Sequence, residues 1–303
     1  MPEPQLTFLT SPDWQDYELL DSGRGFKLER FGPYRFVRPE HQAVWQRKLA
    51  PSQWEAADGV FQATQEESGG HWLFKKKAPD AWRMRYKGLT FEAIAGNSRH
   101  LGVFPEQANH WDWVSGLIQE ARRPVRAAQS PVRVLNLFGY TGLATLAAAQ
   151  AGATVTHVDA AKKTIQWARQ NQALSGLAER SIRWLVDDAG KFVQREVRRG
   201  SRYDGILLDP PKFGRGPEGQ VWEFFDSLPG LLEDCRRLLS SRPLFVVLTA
   251  YAIRASALSV HYALEEMVSG LGGRVTSGEL ALIEKSAGRL LPCAIFARWQ
   301  AGA

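Results

Sequence analysis

Val132-Arg133-Val134-Leu135-Asn136-Leu137-Phe138-Gly139-Tyr140-Thr141-Gly142 runs directly into an alanine-rich stretch that ends at Gln150. An apolar run with no charge after Arg133, stopping at glycine and passing into a helical pattern, reads as a buried strand feeding a helix through a tight turn. The two glycines let backbone approach a ligand closely, and the N–H groups opening the helix, from Thr141 onward, face any anionic group placed there. An ordinary strand-turn-helix corner would give the same string, so the remaining strand ends have to decide.

Beyond this stretch, strand patterns near Ala153, Ile182, Tyr203 and Pro243 are each followed by a helical run. Such alternation predicts a doubly wound α/β fold, a mostly parallel sheet with helices on both faces. Residues 274–284 and 289–299 are strand-like and joined by Lys285-Ser286-Ala287-Gly288, too short for a helix. They predict a terminal hairpin and an antiparallel member of the sheet.

In such sheets ligands lie beyond the carboxyl ends of the strands. The first strand ends with Asn136 and the Phe138-Gly139-Tyr140-Thr141-Gly142 loop. The second ends in Asp159 and Ala160, 20 residues after Gly139, the offset at which a carboxylate accepts both hydroxyls of a ribose. The third ends in Asp187-Asp188-Ala189 and the fourth in Asp209-Pro210-Pro211-Lys212-Phe213. Consecutive prolines force an extended backbone whose carbonyls are free to accept hydrogen bonds from an amine held beside the cofactor. A nicotinamide-dependent oxidoreductase shares the ribose carboxylate, but its GxGxxG fingerprint is incomplete here, with Asn136 where the first glycine should fall.

Upstream, residues 17–39 alternate with glycine punctuation, and short strand patterns follow at 71–75, 84–86 and 89–94, with turns at 78–80 and 87–88. This predicts an N-terminal β-rich domain over residues 1–124. Lys75-Lys76-Lys77 and Trp82-Arg83-Met84-Arg85-Tyr86-Lys87 interleave basic and aromatic residues, the pattern of single-stranded nucleic acid binders, with Arg83 and Arg85 as substrate contacts; a solvated strand face gives the same string. A polar and aromatic cluster at 102–113 precedes a helical pattern from Trp113 to Glu120, and a proline-punctuated linker puts the second domain at 125–303.

The chain has 303 residues, is 44% apolar and carries a formal charge of +6. Up to Pro124, 16 Lys and Arg face 16 Asp and Glu; beyond it 22 face 16, so the excess lies in the second half. A polyanionic partner such as RNA is favoured, although solubility alone would account for the charge. No apolar run approaches the roughly 18 residues of a membrane span, and no signal-peptide pattern opens the chain, so a cytoplasmic protein is expected. The two cysteines, Cys235 and Cys293, have no metal-site spacing, and no metal is expected.

On the strength of Val-Leu-Asn-Leu-Phe-Gly-Tyr-Thr-Gly142, Val-Asp159, Asp188-Ala189 and Asp-Pro-Pro-Lys-Phe213, residues from about Phe104 to Trp299 resemble the class I S-adenosylmethionine (SAM) dependent methyltransferases. Within these they are similar to the large-subunit ribosomal RNA methyltransferases that include the cytosine-C5 enzymes. The resemblance implies a Rossmann-like, seven-stranded sheet and SAM as cofactor. It further implies Phe104 and Gln107 of Gly102-Val-Phe-Pro-Glu-Gln107 as cofactor-covering residues and Asp188 as acceptor for the adenine amino group. Asp209, Pro210 and Phe213 are the implied acceptor clamp, with Asp209 also among the implied cofactor contacts and Lys212 and Tyr251 on the substrate side. The cytosine-C5 members use a cysteine after the fifth strand, whereas this chain reads Leu248-Thr249-Ala250-Tyr251. The expected reaction is therefore direct transfer to a nitrogen or oxygen of RNA. The alternatives are the nicotinamide enzyme and a catalytically silent, SAM-fold RNA-binding module.

Overall fold

In the computed structural model the described residues are 3–64, 69–75, 80–96, 98–122 and 131–302. They form two compact units, one of residues 10–107 with 281–293, the other of the first nine residues with 108–280 and 294–303.

The smaller unit follows β1 (Leu6–Thr10) in the chain and holds β2 (Tyr17–Gly23), β3 (Phe26–Phe31) and β4 (Tyr34–Pro39) as the expected meander. Two elements were not anticipated: α1 (Pro51–Glu55) and β5 (Gly59–Ala63), which returns parallel to β4 before β6 (Gly70–Phe74) closes the sheet. A separate hairpin pairs β7 (Ala81–Tyr86) with β8 (Leu89–Ile94). Its two-residue loop, Lys87-Gly88, has both φ angles positive (41° and 86°), as the twist of a tight hairpin demands. The expected turn residues Ala78 and Pro79, with Lys76 and Lys77, lie outside the described residues.

The core of this unit contains an ion pair. Arg38 donates to both oxygens of Glu29 at 2.7 and 2.8 Å, and the Tyr17 hydroxyl donates to Glu29 at 2.8 Å. Burial alone would raise the Glu29 carboxyl; Arg38 first and Lys27 next hold it down at about 2. Because the folded value lies below the unfolded one, this stabilisation is fully present above the ordinary glutamate range and is lost as pH falls from there toward 2. Arg38→Ala strands a buried carboxylate and should cost roughly 3–5 kcal/mol, read as a lower denaturant midpoint at pH 7. The deficit relative to wild type should shrink below pH 4, and a deficit independent of pH would refute the account.

The larger unit is built on a sheet in the order β1-β16-β17-β15-β12-β9-β10-β11. Its parallel part comprises β9 (Arg133–Leu137), β10 (Thr154–Asp159), β11 (Ile182–Val186), β12 (Gly205–Leu208) and β15 (Phe245–Ala250). The short β13 (Phe213–Arg215) and β14 (Val221–Glu223) pair with each other as a hairpin beyond β12. Of the last two strands, β16 (Arg274–Ile283) and β17 (Leu290–Gln300), β17 lies antiparallel to β15. The sheet has eight strands where seven were expected, because β1 pairs beside β16. Gly278 makes room for it: a Cβ there would lie 1.8 Å from the Thr7 carbonyl oxygen.

Side chains alternate between two cores, as strands buried on both faces require. Val134, Leu207 and Val247 pack with Val114 and Ile118 of α2 (Ala108–Ala121) and Ala148 of α3 (Leu143–Gln150). Their neighbours Leu135, Ile206 and Val246 pack on the other side with α5 (Ala189–Arg198), α6 (Phe224–Leu238) and α7 (Ala257–Met267). The helix α4 (Lys162–Leu174) connects β10 to β11. The units part at other places than the expected division at residue 124. The helix predicted from Trp113 begins at Ala108, and it belongs to the larger unit because its apolar face covers the sheet and Ser115 donates to the Ala147 carbonyl at 3.3 Å. Among the described residues no helix is long and apolar enough to cross a membrane.

Candidate active site

The chain leaves β9 toward β10 on one side and later returns through β12 on the other. The strand order therefore reverses between β9 and β12, and the loops beyond their carboxyl ends define the ligand edge.

The loop after β9 is strained. Phe138 and Tyr140 have φ of 58° and 50°, and Gly142 has 84°. Non-glycine residues rarely hold this left-handed conformation, at a cost of order 1–3 kcal/mol each, and it persists only where the surroundings fix it. Here Gly139 N–H donates to the Val158 carbonyl at 3.1 Å, Tyr140 N–H to Asp159 Oδ2 at 2.9 Å, and Gly142 N–H to the Gly139 carbonyl at 3.1 Å. Helix α3 starts immediately after, with Gly142 as N-cap and no side chain capping it. Thr141 is buried, and its carbonyl accepts from Asn171 at 3.0 Å.

Two expectations about this loop change. Asn136 does not open onto the ligand edge: it is only 3% exposed, and its Nδ2 donates to Thr145 Oγ1 at 2.9 Å beneath α3. Gly139 has a reason to lack a side chain that the sequence did not show: a Cβ there would lie 2.3 Å from the ring of His157. His157 and Asn136 are register partners on neighbouring strands, so their side chains share one face of the sheet.

At the end of β10, Asp159 is half-buried. Oδ2 accepts from Tyr140 N–H and Oδ1 from Ala161 N–H, each at 2.9 Å, leaving each oxygen one further acceptor site. Burial raises its carboxyl pKa, against the lowering by these two N–H groups. Ala160 beside it is half-buried as well. At the end of β11 the two aspartates separate: Asp187 pairs with Arg195, while Asp188 caps α5, accepting from Lys191 N–H at 2.8 Å, and Ala189 opens that helix. Gly216, between β13 and β14, lies close by, where a Cβ would sit 3.0 Å from Asp188 Oδ2. The expected adenine contact would therefore have to share Asp188 with a helix cap.

Beyond β12, Asp209 is half-buried, with its N–H toward the Leu137 carbonyl at 3.4 Å, and Pro210 is buried. The Pro211 carbonyl accepts from the Trp222 indole at 2.7 Å, whereas no described hydrogen bond uses that of Pro210. Trp222 was missed from sequence: a tryptophan in a polar stretch carries no motif, yet its ring lies 5.0 Å from that of Phe138 and so ties the Asp-Pro-Pro loop to the glycine loop. Phe213 and Lys212 are exposed, Phe213 at 51%, on the outer side of the β13 hairpin. Tyr251, half-buried, packs against Leu280 and Phe296. Ala250, the last residue of β15, is 1% exposed.

The remaining expected residues belong to the smaller unit. Phe104 packs its ring 4.7 Å from His100, and its carbonyl accepts from Gln107 N–H at 3.0 Å as 105–107 make a single 3₁₀ turn. Arg83 and Arg85 are exposed on β7, but Trp82, Met84 and Tyr86 alternate with them into the core. The aromatic residues of the pattern are therefore buried and cannot stack on a base, and on the strand the two arginines face outward.

A doubly wound sheet with a glycine loop and a half-buried aspartate at its switch point has the layout of an α/β enzyme that takes a nucleotide-like cofactor. The comparisons name the cofactor: a model of the S-adenosylmethionine-dependent methyltransferases matches residues 38–268, and the chain belongs to that family. A crystal structure of a SAM-dependent methyltransferase from Agrobacterium tumefaciens superposes with a TM-score of 0.91 at 47% identity, covering 99% of this chain and 97% of that one. Ribosomal RNA large subunit methyltransferase K/L of Methylococcus capsulatus is 40% identical over 141 residues, 43% of this chain and 19% of its own. Methyltransferase I of the same name series from Klebsiella pneumoniae is 35% identical over 96 residues, 31% of this chain and 24% of its own. The chain thus spans less than a quarter of the length of these two curated relatives. The nicotinamide reading is set aside.

Proposed function

We propose that this protein methylates RNA, specifically ribosomal RNA, by direct transfer from SAM to a nitrogen or oxygen. The partial matches to ribosomal RNA methyltransferases support the substrate class. The observation that carries the mechanism is the end of β15, where Ala250 and Tyr251 stand and no thiol is offered. Neither cysteine replaces it. Cys235 is buried in the core on α6, and burial followed by Asp234 pushes its thiol pKa up; Cys293 belongs to the other unit and is also pushed up by burial.

The residues fit the cofactor chemically. Asp159 keeps one acceptor site on each oxygen for the ribose hydroxyls, with Ala160 beside it, and α3 offers an N-terminus capped by no side chain to a carboxylate. SAM supplies an electrophilic methyl. On the acceptor side, Asp209 and the Pro210 carbonyl take hydrogen bonds from the target N–H or O–H, which raises electron density on the attacking atom. Bound SAM would supply the methyl group to the acceptor nitrogen or oxygen, and Asp209 would take the acceptor's proton and pass it to water. Phe213 stacks on the base, Lys212 and Tyr251 meet the flanking strand, and Arg83 and Arg85 contact phosphate.

Nucleoside mass spectrometry of ribosomal RNA from a strain lacking the gene tests this reading. One N- or O-methylated nucleoside should disappear; loss of a C5-methylated pyrimidine would overturn the mechanism, and an unchanged profile the substrate. A protein that binds RNA but releases no S-adenosylhomocysteine would be the silent module instead. Replacement of both Cys235 and Cys293 by Ser should retain turnover within about threefold, because neither thiol takes part in a nucleophilic step. A covalent adduct trapped with 5-fluoropyrimidine RNA would contradict it.

A further inference from the structure

Asn136, His157 and Trp184 are register partners on β9, β10 and β11, a row of three side chains across one face of the sheet. Thr145 of α3 sits over the row: its hydroxyl oxygen accepts from Asn136 Nδ2 at 2.9 Å and lies 2.9 Å from His157 Nδ1. The row thereby ties two strands to the first turn of the helix whose N-terminus forms the cofactor loop. His157 is fully buried, and the Trp184 ring stands behind it at 4.6 Å between centroids. In front of it is the Cα of Gly139, where a Cβ would lie 2.3 to 2.9 Å from Cε1, Nδ1 and Nε2 of the imidazole. Gly142 meets the same wall, since a Cβ there would lie 3.0 Å from the Trp184 ring.

We infer that His157 is a positioning residue of the cofactor loop: its ring, braced by Trp184 and Thr145, fills the volume below Gly139. By doing so it fixes the left-handed turn that delivers the Tyr140 N–H to Asp159. Two strained residues flank Gly139, and such strain relaxes unless a rigid neighbour prevents it. An imidazole in van der Waals contact with the Cα is that neighbour, and closely packed interiors transmit such a contact to the backbone. The ring works as a neutral wedge. Burial drives its pKa down to about 3, with the backbone of Tyr140 pulling in the opposite direction, so it carries no charge at physiological pH. Its Nε2 is buried without a hydrogen-bond partner.

The inference rests on the assignment of the glycine loop and Asp159 to SAM, and its test separates the two. S-Adenosylhomocysteine affinity is measured by titration calorimetry on the full-length protein, together with the thermal midpoint, for Gly139→Ala, His157→Ala, the double variant and Asp159→Ala. Gly139→Ala forces overlap with a braced ring and should weaken binding about 10-fold or more. His157→Ala releases the turn and should weaken binding by about 10-fold in protein that remains folded. The double variant gives the new methyl group the vacated space, so adding Gly139→Ala to His157→Ala should cost less than about threefold. Should His157→Ala fail to fold, His157→Val, a β-branched residue suited to a strand, takes its place in both variants.

If Gly139→Ala is equally damaging with and without the imidazole, the inference is overturned. It is also overturned if His157→Ala lowers only the thermal midpoint and binds within twofold of wild type, which would make His157 a packing residue. Wild-type affinity in Asp159→Ala would instead remove the site assignment, and the inference with it.

Discussion

Asp209→Ala is expected to lower turnover by a factor on the order of 10² or more, the range of a lost general acid–base contact, while S-adenosylhomocysteine affinity stays within about threefold. The split follows from position. Asp209 stands at the end of β12, across the switch point from Asp159 at the end of β10, and its backbone N–H points toward the Leu137 carbonyl of β9. Its neighbour Pro210 is buried, and the next carbonyl, that of Pro211, is held by Trp222. These two backbone contacts persist when the carboxylate is truncated, so the substitution should remove the acceptor contact while the loop stays held at both. Asp209→Asn keeps the shape and an acceptor oxygen but loses the charge, and should recover part of the loss. Parallel loss of cofactor affinity and turnover would make Asp209 a cofactor or packing residue and withdraw the acceptor clamp.

How much of this was legible in the sequence depended on whether a residue acts through local pattern or through a partner distant in the chain. The inner strands from Val132 onward were legible because they are buried on both faces and read as apolar runs ended by a polar signature, while the half-exposed edge strand β11 was legible from its place in the alternation with helices. The terminal strands were legible because four residues cannot hold a helix. The extra edge strand was not: β1 is short and largely exposed, and the feature that admits it, Gly278, lies some 270 residues away. Position 108 was missed as a helix start because Ala108-Asn109-His110-Trp111 has neither a capping pattern nor a clean apolar period; the sheet, and not propensity, makes it helical.

The site shows the same division. Asp159 was singled out through its offset from Gly139, the one ending β10 and the other in the loop just after the adjacent β9. Asn136 was assigned outward on its place in the motif, but strand alternation turns it toward α3, where Thr145 takes its hydrogen bond. Trp222 and His157 left no mark, because each acts on a loop that its own sequence neighbourhood does not contain. The aromatic residues at 82 and 86 misled for a related reason: alternation of Trp, Arg, Met, Arg and Tyr is also the signature of a half-buried strand, and here burial claims every second residue.

The largest expected effect on the cofactor belongs to Asp159→Ala. Each carboxylate oxygen accepts one backbone N–H, from Tyr140 and Ala161, and has one site left. Hydrogen bonds to a charged acceptor contribute about 1.5–3 kcal/mol each, so losing two ribose hydroxyl contacts should weaken SAM by on the order of 10² or more. The substitution also removes the acceptor of the Tyr140 N–H, one of the three hydrogen bonds that hold the left-handed turn, so the loop loses an anchor along with the ligand contact. Asp159→Asn discriminates these contributions, since its oxygen can still accept from one N–H while its amide cannot accept from a hydroxyl. Its affinity should fall between wild type and Asp159→Ala. Ribose-modified analogues complete the argument: wild type should lose affinity for 2′-deoxy and 3′-deoxy forms of S-adenosylhomocysteine, and Asp159→Ala should no longer distinguish them from the parent. If the variant still discriminates between these forms, or if its SAM affinity changes by less than about threefold, against the several kcal/mol that two charged bonds imply, another group holds the ribose.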